Sequence, residues 1–222
     1  MRQAFRFFLG VALLLGFISL PAAAATVIDY AKVRNYEKAM PASPVSKTAE
    51  SEVMAALAQQ PASVRDPLGR KPLILGSSTG AFTAAGARET AYLLSAGKPS
   101  ATDLNTTIPQ LVLVLEGQRA TGAYVLPATG GYQAIVGAVA GADGKRDLLL
   151  EGSFMNMGQM VVSLDVLRLG PDASTSVQRT LKEVYYDGCG NPRGAREKRA
   201  ATIRIADDGQ MAVSWHELKC SN

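Results

Sequence analysis

From residue 111 onward the chain reads as short apolar runs separated by turn residues. Residues 111–115 (Leu-Val-Leu-Val-Leu) are wholly apolar, and residues 122–126 follow after a polar break. Residues 132–140 and 146–154 flank Gly141-Ala-Asp-Gly144, and an Asp-Gly between two apolar runs marks a hairpin. Residues 160–169 form the clearest strand. Met160, Val162, Leu164 and Val166 share one face, opposite Ser163 and Asp165. The alternation slips at Leu167, because Arg168 falls on the apolar face, and a β-bulge there restores it. Residues 177–186 make another strand. Residues 202–206 and 210–215 form a second hairpin around Asp207-Asp-Gly209, with Ile203, Ile205, Met211, Val213 and Trp215 facing inward. A further slip at His216-Glu217 turns Leu218 and Cys220 inward.

The N-terminal third has a different texture. Residues 46–60 have helical spacing: Ser46 or Thr48 can cap, Glu50 and Glu52 sit in the first turns, Val53 and Leu57 form a stripe, and Pro61 stops the run. Residues 65–70 read as a turn, and residues 72–75 as a short strand ending in Gly76. Residues 81–95 read as a second helix with Phe82, Ala85 and Tyr92 as its buried face. The expectation is a mainly β protein, an antiparallel β-sandwich or small β-barrel with one or two N-terminal helices. Residues 1–25 are expected to be a secretory signal peptide, residues 26–72 an extension with a helix, and residues 73–222 the β domain.

The first residues bear on location. A basic opening with Arg2 and Arg6, an apolar stretch over residues 9–20 and the small residues Ala22–Ala25 make an export signal, cleaved near Ala24 or Ala25. Its short core points to a bacterial chain that is periplasmic or secreted, with no transmembrane segment after cleavage. Of 23 Lys and Arg, cleavage removes two, which leaves 21 against 19 Asp and Glu and a net of +2 instead of +4. That balance gives no reason to expect a nucleic-acid partner. The two cysteines, Cys189 and Cys220, are expected to pair in an oxidising compartment.

Candidate chemistry is sparse. The loop between the cysteines carries Arg193, Arg196, Lys198 and Arg199 against Glu197, a charge suited to an anionic surface ligand or another envelope protein. Met155, Met157 and Met160 cluster at a strand junction, as a binding lip or as ordinary core filling. Gly76-Ser-Ser-Thr-Gly80 matches Gly-x-Ser-x-Gly, and an Asp and a His follow in order. This resembles the serine-hydrolase arrangement of the α/β-hydrolase family, which implies Ser78 as nucleophile, Asp165 or another Asp as orienting acid and His216, the only histidine, as base. That family's parallel strands and helical crossovers conflict with the consecutive hairpins from residue 111 onward. One histidine beside paired cysteines makes no zinc site, and residues 77–82 lack the lysine of a phosphate cradle. No metal or other cofactor is expected. The sequence points first to a non-enzymatic binding or scaffolding module acting through a sheet face, a barrel mouth or the basic loop. Its alternatives are a small secreted serine hydrolase and a subunit or assembly factor of a surface structure.

Overall fold

The computed structural model describes residues 26–32, 45–99, 102, 107–127, 131–194 and 196–220. The expected signal peptide, residues 1–25, lies outside the described residues, as do residues 33–44. Strand β1 (Thr26–Asp29) comes first, followed by helices α1 (Lys47–Ala58) and α2 (Ala62–Arg65). Ten strands follow: β2 (Leu73–Gly80), β3 (Glu89–Ser95), β4 (Gln110–Glu116), β5 (Arg119–Val125), β6 (Tyr132–Ala140), β7 (Arg146–Asn156), β8 (Gln159–Leu169), β9 (Thr175–Asp187), β10 (Lys198–Ile205) and β11 (Met211–Glu217). All pair antiparallel. The small sheet runs β2-β3-β4-β5. The large sheet runs β1-β10-β9-β8-β7-β6, with β11 on the other edge of β10.

The fold is mainly β, as the alternation predicts, and the large sheet curls into a half-barrel. Along one edge β10 serves two partners, β9 at Lys198–Ala200 and β1 at Thr202–Ile205. Inside the curl lie Leu149, Met160, Val162, Leu164, Val166, Val184 and Ile203. Here the residues alternating along β8 bury their apolar set. The expected bulge is present: the β8–β9 register shifts between Val166 and Leu167. Leu167 and Leu169 therefore join a second core between the two sheets, with Leu148, Leu150, Leu93 and Val112. Arg168 turns to Asp147, with bonds of 3.0 and 2.8 Å. A third core lies between the small sheet and α1, where Val53, Ala56 and Leu57 meet Tyr92, Leu94, Leu111 and Leu113.

Helix α1 is capped as expected: the Ser46 hydroxyl accepts from the Ala49 amide at 3.1 Å. The helix expected over residues 81–95 is not formed. Residues 81–88 are irregular, and β3 follows. The physical reason is that β3 and β4 are covered on both faces, by the large sheet and by α1. Both sides of each strand are then apolar, and the period-two signal vanishes. Glu89 fixes the loop before β3. Its carboxylate accepts from the Phe82 and Thr83 amides at 2.7 and 2.8 Å, from the Thr83 hydroxyl, and from Thr121 of β5 at 2.9 Å.

The two edges of the half-barrel approach each other at the β10–β11 turn. Gly209 there has φ +83°, and a Cβ would overlap the carbonyl oxygen of Ala140, the last residue of β6. Gly209→Ala combines left-handed strain with displacement of that backbone. It is expected to cost about 2–3 kcal/mol. Gly97→Ala, where a Cβ meets open space, serves as the neutral control. Urea unfolding of the two variants checks the expectation, and equal midpoints would refute it.

Candidate functional site

The three residues of the hydrolase-like pattern lie on separate strands. Ser78 stands in the interior of β2, in register with Ala91 of β3. Residues 76–80 are strand, not turn, and no helix follows them to offer its amides to an oxyanion. Gly76 has a packing reason: a Cβ there would stand 3.1 Å from the backbone nitrogen of Ile135 in β6, where the two sheets meet. Asp165 of β8 accepts from the Tyr132 hydroxyl at 2.8 Å and the Thr180 hydroxyl at 2.6 Å. Burial, then that bond and the carboxylate charge, push the Tyr132 hydroxyl well above its ordinary range. His216 is exposed on β11, and its Nε2 lies 3.0 Å from the Thr202 hydroxyl. No hydrogen bond joins any two of Ser78, Asp165 and His216.

Cys189 and Cys220 form the expected disulfide, with Cα atoms 5.5 Å apart. The basic run it encloses divides into two pairs. Lys198 and Arg199 belong to β10. Lys198 Nζ lies 2.8 Å from Asp187 and over the Tyr185 ring. Arg199 pairs with Glu183 and, at 3.7 Å, with Glu197, and its guanidinium lies 4.9 Å from the Tyr186 ring centre. The hydrogen bond to Asp187 raises the Lys198 ammonium above its ordinary range although burial opposes it. Burial pushes the Asp187 carboxyl up, but the Lys198 bond and the Cys189 amide outweigh it and hold it low. Arg193 and Arg196 are exposed and form no ion pair among the described residues. Trp215, expected to face inward, is 49% exposed at the open edge of β11. Of the three methionines, Met160 is core, Met155 packs against it, and Met157 stands out in solvent at the β7–β8 turn.

The sequence did not flag a cleft of about 640 Å³ between α1 and residues 65–72. Pro61 ends α1, and a helical turn and a 3-10 turn carry the chain back along it. Buried Leu68 pins this return to the third core. Arg65 reaches back to the carbonyl of Ala58 at 3.1 Å and pairs with Asp66 at 3.1 Å, so their charges cancel. Met54, Leu57, Ala58 and Pro72 supply the apolar lining. Arg70, Lys71 and Glu50 line it too, all exposed and without an ion pair among the described residues. The volume falls within the range of small-molecule sites, about 300–1,000 Å³. A smaller cavity of about 200 Å³ lies between β1 and β6, lined by residues 26–30, Val136 and the fully buried Glu151.

No three His, Cys, Asp or Glu side chains among the described residues come together to hold a metal ion. No helix among them is long and apolar enough to cross a membrane. No protein-family model, curated protein or solved structure matches the chain.

Proposed function

We propose that the protein is an exported, non-enzymatic binding module of the bacterial envelope whose ligand occupies the cleft between α1 and residues 65–72. The observation that carries this is the cleft itself: an apolar lining beside two cations, Arg70 and Lys71, that form no ion pair among the described residues. Cations at such a site keep their charge available to a ligand, whereas Lys198 and Arg199 are already committed within the fold. The signal-like opening of the sequence and the Cys189–Cys220 disulfide support export to the periplasm or beyond. Arg193 and Arg196, pointing outward from the disulfide-closed loop, give a second contact to an anionic surface or an envelope partner.

Methyl NMR on methionine-labelled protein tests the site. Small molecules extracted from the cell envelope are expected to shift the Met54 methyl and leave that of exposed Met157 in place. Absence of any Met54 shift across the extract would end the proposal. Exposure to a fluorophosphonate probe tests the catalytic alternative. The intact mass is expected to stay unchanged, and Ser78→Ala to be silent in every assay. A Ser78-dependent mass increment would make the protein a serine hydrolase.

A further inference from the structure

We infer that the cleft takes a single-chain anionic amphiphile, a molecule with a carboxylate or phosphate head and a short alkyl tail. The inference rests on the cleft being the ligand site. The lining decides the sign of the head. Arg65 and Asp66 neutralise each other at 3.1 Å, so Arg70 and Lys71 face one carboxylate, Glu50, and the balance is one positive charge. An ammonium head would meet that excess with repulsion. An anionic head satisfies both cations with charge-assisted hydrogen bonds. The backbone adds to the preference. Residues 70–72 lead directly into β2, so the two cations sit on a segment held by buried Leu68 on one side and buried Pro72 on the other.

The apolar part of the lining decides the tail. Met54 is half-buried on α1 next to buried Val53, one position off the stripe that packs on the small sheet. Half-buried Met54 and exposed Ala58, with buried Leu57 and Pro72 behind them, supply an apolar lining without side-chain hydrogen-bond donors. Methionine is unbranched and polarizable, which suits an alkyl chain of variable fit. Size favours a small molecule over a protein as the main occupant. Stable protein interfaces bury about 800 Å² per partner with some 20–30 residues a side, and ten residues line this cleft. A two-chain lipid lying in a bilayer would have to leave it to enter a site of 640 Å³. A monomeric single-chain molecule enters from water.

Isothermal titration of the protein as recovered from the expressing cells, with the Met54 methyl followed in parallel, tests the inference using octanoate, decanoate, decyl phosphate, decyl maltoside and decyltrimethylammonium, each below its micelle concentration. Decanoate and decyl phosphate are expected to bind. Each methylene added from octanoate is expected to tighten binding about fourfold. Arg70→Glu with Lys71→Glu is expected to weaken decanoate by about threefold to fivefold per cation replaced. Both residues are exposed, and wild-type protein at rising salt gives the same comparison with no substitution, since screening weakens the anion and spares decyl maltoside. If decyl maltoside matches decanoate, or the ammonium binds more tightly, the anionic class is overturned and the cleft stands as the site. If no probe moves the Met54 methyl, the cleft and the class fall together. Binding only to phosphatidylglycerol vesicles, with no monomer bound, would assign the head chemistry to a membrane surface and overturn the monomeric ligand.

Discussion

The double variant Cys189→Ser, Cys220→Ser is expected to lose about 3–4 kcal/mol of unfolding free energy, the chain-entropy value for a loop of about 30 residues. The crosslink spans a sequence separation of 31, and it ties down the part of the sheet with the least burial of its own. Most of β11 is exposed, including Ser214, Trp215, His216 and Glu217, and β11 pairs with β10 alone. Beside the disulfide, the Asp187 carboxylate holds both Lys198 and the Cys189 amide. That clamp keeps β10 against β9 after the bond is lost, while β11 is held to β10 by its ladder and neutral side-chain bonds, with no ion pair among the described residues. Urea unfolding should therefore show a lower midpoint, and amide exchange should speed up first in β11. An unchanged midpoint in the double variant would show the bond to be energetically idle.

Glu89→Ala is expected to cost about 3–4 kcal/mol, because it orphans the Phe82 amide in a buried site and removes three further bonds to a charged acceptor. Glu89 is 3% exposed, so water does not replace the carboxylate readily. The same bonds set a pH signature. Burial pushes the Glu89 carboxyl up, but the Thr83, Phe82 and Thr121 bonds outweigh it, and its pKa lies below the ordinary glutamate value. A group whose folded pKa is depressed stabilises fully above the unfolded value, about pH 4.3. That contribution disappears as pH falls through the lowered folded value. Asp187 acts in the same direction. Lys198, whose pKa is raised, contributes fully at neutral pH and loses its share only in strong alkali. Stability measured by denaturant titration should thus fall steeply on the acid side in the wild type and less steeply in Glu89→Gln. Parallel acid profiles in the two proteins would show that Glu89 is not the group responsible.

The pairs that form between neighbours in sequence were legible in it. The β6–β7 and β10–β11 hairpins, the alternating face of β8, its bulge at Leu167 and the Ser46 cap all arise from local spacing, and each is present. What the pattern could not show depends on residues far along the chain. Residues 89–95 resemble a helix because Leu93 faces the large sheet and Leu94 faces α1, which erases the alternation that marks a strand. Gly76 and its small neighbours suggested a catalytic turn, whereas they let β2 lie against β6 at Ile135. Lys198 and Arg199 looked like free loop charges because their partners, Asp187 and Glu183, precede them by a turn and belong to β9. The cleft has no signature in the sequence for the same reason: its walls are a helix and a turn, each ordinary in isolation, and only their packing makes a hollow.

The place of β1 in the sheet has a consequence in time. The Thr202 hydroxyl bonds to Asp29 across 173 residues of chain, and every rung of β1 is made to β10. A chain that emerges from its N-terminus first offers residues 26–29 long before β10 exists to receive them. Closure of such distant pairs is slow, because the loop entropy is lost before the contact forms. Val27 and Ile28 thus spend the interval until β10 has been made as an unpaired β segment. That interval, more than the finished structure, sets how long the nascent protein is open to chaperones and to mispairing with its own copies.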